Sequence, residues 1–360
     1  MGTTLGRYLS FRFFKTIMAV FIAIIGMVYV FDFVEMLRRT NGMVGITAGF
    51  VAVLSLLRTP SVAEQILPFC VLFGTMTAFL DLSRKFELIV ARSAGVSVWQ
   101  FLIPPVGIAL LIGVLSVVLF NPLSAEMKQR ADAIEAQLFG RAGKQKGDTT
   151  LWIRQKSVDG EAILRAARSF QEGTQLASVT AYIYEPDGRF EERVQAQSAT
   201  LLPGVWKLQN AQILAPGEAA RDVDTYLLAT DLSPDRLAEN FLTPDSVPFW
   251  SLPRLRQESD VAGLDSTGFR LQYQSLLARP LMLVAMVLIA AAFSLRVFRF
   301  GGIGQTVGGG IVAGFVLYLL TKMIADLGGT GVLSTPVAAW TPAVVGSLLG
   351  ALALLHLEDG

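Results

Sequence analysis

The chain has 360 residues, 52% of them hydrophobic and only 16% charged, and its 30 basic and 29 acidic side chains leave a net charge of +1. Soluble domains carry about 25% charged residues, so this composition excludes a wholly soluble enzyme and a disordered chain, and the near-zero net charge removes any global electrostatic case for nucleic-acid binding. One cysteine, Cys70, and one histidine, His356, exclude an intrachain disulfide, a Cys-based zinc cluster and a multi-His metal site.

Taken from the N-terminus, the first apolar run covers residues 16–34. It is longer than the core of a cleaved signal, and no Ala-x-Ala site follows it before Asp32, Glu35 and Arg38. A bilayer-crossing helix needs about 20 mostly apolar residues. Five more runs meet that length, at 62–82, 99–120, 280–298, 307–324 and 337–357. Residues 44–57 are apolar but short and Gly-interrupted, which predicts a re-entrant or interfacial piece beside the first two spans. Lys and Arg in the short loops set the orientation. With the N-terminus inside, Arg7, Arg12, Lys15, Arg84, Lys85, Arg92, Arg296 and Arg299 lie inside, against Arg38, Arg39, Arg58 and Lys322 outside. That bias places both termini inside and the long polar stretch outside.

At the outer end of the first span, Arg38 and Arg39 follow Asp32 and Glu35 by about one or two turns. Such a rim fits two roles: interfacial snorkelling, or a cationic contact for an anionic lipid headgroup, which the guanidinium fork suits. Between the second and third spans, Phe86, Ile89 and Val90 fall at i, i+3 and i+4, which predicts a short amphipathic helix capped by Gly95. It fits a helix lying on the inner leaflet, or one seated in the groove of a cytosolic partner.

Helical spacing over residues 126–138 extends the third span, and then the pattern changes. Short alternating runs begin at Leu151, Ala162, Val179, Arg193, Val205 and Thr225. They are separated by turn residues at Asp159-Gly160, Pro186-Asp-Gly188, Pro203-Gly204 and Pro216-Gly217. This spacing predicts an antiparallel sandwich or jelly roll. Residues 232–270, rich in Pro, Ser and Asp, form a connector with a short helix near 252–258. In the last three spans, Gly304-x-x-x-Gly308, Gly310-x-x-x-Gly314 and Gly346-x-x-x-Gly350 permit close helix approach, either within the chain or along a seam between subunits.

No nucleotide-binding loop is present: the one Gly-Lys pair, Gly143-Lys144, is followed by Gln145. Ser93 lacks the first Gly of a nucleophile elbow. Catalytic residues and metal ligands are therefore not expected, and neither are cofactors. ATP-driven work would need a partner chain. Three classes remain: a transport subunit, a membrane-anchored scaffold or assembly protein with an outer binding domain, and an intramembrane lipid enzyme.

Several segments together resemble the LptF/LptG permease family of the lipopolysaccharide-export ABC transporter, with the LptG branch the nearer. They are Arg7-Tyr-Leu9, Phe33-Val-Glu-Met-Leu-Arg-Arg39, Leu67-Pro-Phe-Cys-Val-Leu-Phe-Gly74, Glu87-Leu-Ile-Val-Ala-Arg-Ser-Ala-Gly95 and Leu232-Ser-Pro234. The resemblance implies an α-helical membrane protein with six transmembrane helices (3+3) and an inserted periplasmic all-β jellyroll-like domain. Residues 1–122 would hold spans 1–3 with a coupling helix at about 84–95, residues 123–270 the periplasmic domain with its connectors, and residues 271–360 spans 4–6. It implies a permease in the bacterial inner membrane that extracts lipopolysaccharide. The implied partners are the paralogous permease LptF, a cytosolic LptB ATPase dimer, and LptC and LptA of a periplasmic β-jellyroll bridge. Arg84, Phe86, Glu87, Ile89, Val90, Arg92 and Gly95 would couple to the ATPase. Asp32, Glu35, Arg38 and Arg39 would line the lipid site, with Asp32 standing where some relatives carry Lys. Gly304, Gly308, Gly310 and Gly314 would belong to a moving seam.

Overall fold

The computed structural model describes residues 3–41, 46–139, 151–157, 160–170, 174–185, 187, 189–217, 219–230, 243–261, 266–300 and 303–359. The first helix, α1, runs Thr3–Thr40 without interruption. At 1.5 Å per residue it is roughly 57 Å long, almost twice the hydrocarbon thickness of about 30 Å, so both ends extend beyond an apolar core. The second, α2 (Ala48–Arg84), starts at Thr47, whose hydroxyl accepts a hydrogen bond from the Phe50 N–H at 3.3 Å. Residues 48–57 are therefore its opening turns and not a separate re-entrant piece. Gly49 sits in the first turn, and the chain passes through Pro60 and Pro68 without leaving the helix. The hydroxyls of Thr59 and Ser61 donate to the carbonyls of Ser55 and Arg58 beside Pro60, the local accommodation that prolines in long apolar helices need.

A short helix, α3 (Glu87–Ser93), follows a sharp turn. It ends at Gly95, whose φ of +82° lets the Val96 N–H reach back to the Ala91 carbonyl at 3.2 Å. Helix α4 (Val98–Leu115) is capped by Ser97, passes through a π-helical turn at Ser116–Phe120, and continues as α5 (Asn121–Phe139). The expected helical extension of the third span is thus α5, reached through a bulge of the kind that often marks functional helices. After the sheet come α6 (Leu252–Val261), α7 (Thr267–Phe300), α8 (Ile303–Gly329) and α9 (Thr335–Asp359). Among the described residues six helical stretches are long and apolar enough to cross a membrane: three before the sheet and three after it.

The chain divides into two compact units, residues 1–134 with 245–250 and 270–360, and residues 135–244 with 251–269. In the helical unit α7 is the hub. The most apolar stretch of α7 is 72% buried, against 6% for α1 and 17% for α8. Gly113 of α4 lies so close to α7 that an added Cβ would stand 2.5 Å from the Pro280 Cα. Gly74 of α2 approaches α1 in the same way, 2.6 Å from the Ile17 Cα. Leu72, Met76, Ala109, Met286 and Leu317 fill the middle of the unit.

The second unit contains a six-stranded antiparallel sheet in sequence order. Its strands are β1 (Leu151–Ser157), β2 (Gly160–Phe170), β3 (Gln175–Tyr184), β4 (Phe190–Leu202), β5 (Val205–Leu214) and β6 (Arg221–Ala229). Each of the six alternating runs read from the sequence lies inside one of these strands. The edge strands of a flat six-stranded sheet would be about 24 Å apart at 4.8 Å per step. Here Gln155 of β1 donates to the Ala229 carbonyl of β6 at 3.1 Å, and its Oε1 accepts from Trp206 Nε1 of β5 at 3.1 Å and from the Thr230 hydroxyl at 2.7 Å. The sheet is therefore rolled on itself. The enclosed face holds Trp206, Leu164, Leu208 and Leu176 among buried alanines at 162, 166, 181, 196, 199 and 211, small side chains that permit the curl.

Candidate functional site

Three regions of the helical unit carry the residues singled out above, the third being the glycine seam of α8. The first is the turn from α2 into α3. The last turn of α2 ends with the Lys85 N–H on the Asp81 carbonyl. Phe86 then adopts φ 59°, a left-handed conformation that costs a non-glycine residue about 1–2 kcal/mol. The reversal splits the apolar residues of α3 between two faces. Leu88 (4% exposed) and Ala91 pack inward on Leu9, Phe13, Phe79 and Leu82, with the Phe13 and Phe79 rings edge-to-face at 4.9 Å. Phe86, Ile89 and Val90 (65% exposed) point outward, so the amphipathic set read from the spacing is the outer face. Arg84 is exposed as well, while the side chain of Arg92 lies outside the described residues.

Glu87 is not free. Its Oε2 accepts from the Tyr8 hydroxyl at 3.1 Å and its Oε1 from Arg12 Nη1 at 3.3 Å. Arg12 also donates through Nη2 to Asp81 and through Nη1 to the Tyr8 oxygen. Lys85 lies 3.4 Å from Asp81. Nothing in the spacing of the sequence relates Tyr8 and Arg12 to a carboxylate 75 or more residues away. Only the packing of α1 against α2 brings them together.

The second region is the far end of α1. Glu35 holds both arginines, Arg38 Nε at 3.0 Å and Arg39 Nε at 2.8 Å, and both guanidinium groups stay exposed. Asp32 is turned away from this cluster. It pairs with Arg58 of α2 at 3.6 Å, so Arg58 lies on a helix beside α1 and not in a short loop. The four residues thus divide into an exposed Glu35–Arg38–Arg39 group and a less exposed Asp32–Arg58 link.

Deeper in the same unit, Glu64 of α2 is ion-paired with Arg279 of α7 and accepts from Asn121 Nδ2 at 2.9 Å. Asn121 Oδ1 in turn takes the Phe249 N–H at 2.8 Å. Glu64 lies inside the second apolar run and Arg279 directly before the fourth, and such a charge within a span is the available signal for the pair. It borders a cavity of about 330 Å³ between α2, α7, α8 and α9, lined also by Gln65, Gln272, Tyr318 and Lys322.

The seam glycines of α8 separate into two kinds. Gly310 and Gly314 face α2, where an added Cβ would stand 2.8 Å from Met76 Cε and 2.3 Å from Leu72 Cδ2. Gly308 has nothing within 4 Å of that position. The surroundings of Gly304 lie outside the described residues. In α9, Gly346 packs on Leu317 and Ala285, and Gly350 on Leu288. Among the described residues no three His, Cys, Asp or Glu side chains gather into a metal-holding group. Cys70 is fully buried.

The sequence model of the family described as lipopolysaccharide export system permease LptF/LptG matches residues 7–356. The lipopolysaccharide export system permease protein LptG of Escherichia coli K12 is 23% identical over 329 residues, covering 90% of each chain. The protein of the same name from Haemophilus influenzae is 23% identical over 363 residues, covering 98% of this chain and 96% of its own. Three spans, an inserted antiparallel sheet and three further spans, matched over nearly the full length, place this chain in the LptF/LptG permease family.

Proposed function

We propose that the chain is the membrane-spanning, non-hydrolysing subunit of an ABC transporter that lifts lipopolysaccharide out of the inner membrane and passes it to a periplasmic β-structured bridge. The observation that carries this reading is the outer face of α3. Phe86, Ile89 and Val90 form an apolar patch beside the partly exposed carboxylate of Glu87, on a helix whose other face is fixed in the core. A short helix presented in this way suits the groove of a cytosolic ATPase of the LptB kind. The orientation that follows puts both termini and α3 in the cytoplasm and the rolled sheet in the periplasm. The domain plan is then residues 1–122, 123–270 and 271–360.

The low burial of α1 and α8 within the single chain supports a second permease of the LptF kind packing along these helices, with lipid held between the two. Arg38 and Arg39 would face the phosphates of that lipid, since guanidinium forks bind such groups in bidentate fashion. The sheet would hand the lipid to LptC and LptA by strand addition at an edge.

The test is co-expression with a partner permease and ATPase, followed by purification and reconstitution. The native chain should bring down the ATPase and release lipopolysaccharide on ATP addition, whereas Glu87→Arg and Val90→Asp should lose the ATPase. ATPase retention by both variants overturns the docking assignment. In the same preparation, reversing Arg38 and Arg39 to Glu should lower capture of lipopolysaccharide by a photoreactive residue at Phe31, which is exposed on α1. Undiminished capture removes these arginines from the lipid site.

A further inference from the structure

We infer that Arg12, with Tyr8, is the positioning residue that ties the docking helix α3 to the first span, so that load applied to α3 by a nucleotide-hydrolysing partner reaches α1 directly. The inference rests on the docking reading of α3 and adds to it the route by which docking acts on the membrane part.

The geometry has three parts. The reversal at Phe86, with φ 59°, brings the carboxylates of Asp81 and Glu87 to the same side, although one ends α2 and the other begins α3. A single guanidinium from α1 then straddles both, with Nη2 on Asp81 and Nη1 on Glu87 at 3.3 Å. The same Nη1 donates to the Tyr8 hydroxyl, which passes its own proton toward Glu87 Oε2 at 3.1 Å, and the Arg12 group lies 5.7 Å from the centre of the Tyr8 ring. Two residues one turn apart on α1 therefore grip one carboxylate of α3. Beneath them Leu9 and Phe13 of α1 belong to the same buried apolar cluster as Leu88 and Ala91 of α3. The start of α1 is thus tied to α3 through the Glu87 carboxylate and a shared buried cluster.

The rest of α1 is held differently. Its most apolar stretch is 6% buried, the least of the six candidate spans. Farther along, α1 rests on α2 at Ile17–Gly74 and at Asp32–Arg58 while its other sides stay uncovered, so it acts as a lever that bears on α2 and is loaded at its α3 end. Force on the Phe86–Ile89–Val90 face acts on that lever through Glu87 and the apolar contacts below it. A lysine cannot replace the straddle, because a point charge on a flexible stem does not span two carboxylates as a planar fork does.

The experiment uses the reconstituted complex of this chain with its partner permease and ATPase, with lipopolysaccharide as the transported probe. Three quantities are read: ATPase co-purified, ATP hydrolysed, and lipid released per ATP. With Arg12→Ala the ATPase should remain bound and hydrolysis continue, while lipid released per ATP falls about tenfold, within the usual range of coupling between two sites. Arg12→Lys and Tyr8→Phe should give intermediate losses, and they remain informative if Arg12→Ala fails to accumulate. A double variant, Arg12→Asp with Asp81→Arg, restores one of the two ion pairs and should recover part of the ratio lost in Arg12→Asp alone.

An unchanged ratio in Arg12→Ala, or in both milder variants, overturns the inference. So does loss of the ATPase from these variants, since Arg12 would then merely hold α3 in shape. Failure of the underlying reading looks different. In that case the native complex contains no ATPase, or Glu87→Arg retains it in full.

Discussion

Glu64 and Arg279 show how a charge is kept inside an apolar helical unit. The carboxylate is ion-paired with Arg279 and accepts from Asn121, whose carbonyl oxygen holds the Phe249 N–H. Removing one partner of a buried pair leaves the other uncompensated and costs about 3–5 kcal/mol, whereas replacing both by apolar side chains of similar volume is often neutral. Glu64→Leu should therefore lower the thermal unfolding temperature of the detergent-solubilised chain sharply, and adding Arg279→Leu should restore most of the loss. Equal destabilisation in the single and double variants would contradict a mainly electrostatic cost. At this scale the sequence was informative in part. Arg38, Arg39 and Glu35 could be grouped by their spacing on one helix, and the structure joins them. Asp32–Arg58, Arg12–Glu87 and Glu64–Arg279 cross between helices, and no spacing along one chain encodes which helix lies beside which.

Among the elements, the strands were the most legible. Alternation with turn residues at intervals placed all six runs within the observed strands, because one face of the sheet is enclosed and period-two patterning is the direct result. The rolling of the sheet was not legible. It depends on Gln155 reaching across to Ala229, Thr230 and Trp206, contacts between the two ends of the domain. The opening of α2 was misread for a different reason. Short length and glycines at 45 and 49 suggested a break, yet Thr47 supplies a cap and Gly49 falls in the first turn, where a missing side chain matters little. Glycines also separate packing from open surface. Gly74→Ala would put a methyl group 2.6 Å from the Ile17 Cα and must push α1 away from α2, at an overpacking cost of about 1–3 kcal/mol. Gly308→Ala meets nothing within 4 Å and should leave the isolated chain as stable or slightly more so, since alanine favours a helix interior by about 1 kcal/mol. Thermal unfolding of both variants checks this contrast. A Gly308→Ala chain as unstable as Gly74→Ala would mean that α8 packs inward at that position.

For the molecule as a whole, burial is uneven among the candidate spans. Helix α7 is the most buried of the six candidate spans and is fastened through Pro280 against Gly113 and Arg279 against Glu64. Helices α1 and α8 leave most of their apolar stretches uncovered. Under the proposed function the uncovered faces of α1 and α8 would meet a second permease, and α3 would be linked to α1 through Glu87 and Arg12. The central claim is that the outer face of α3 meets a cytosolic ATPase and not the membrane surface. The most direct measurement is photocrosslinking in intact cells from a photoreactive residue at Val90, with Leu348, exposed on α9, as the comparison site. The account predicts an ATP-hydrolysing protein captured at Val90 and none at Leu348. Capture of lipid alone at Val90, with the chain folded and present at its normal level, would contradict it and return α3 to the role of a helix resting on the inner leaflet.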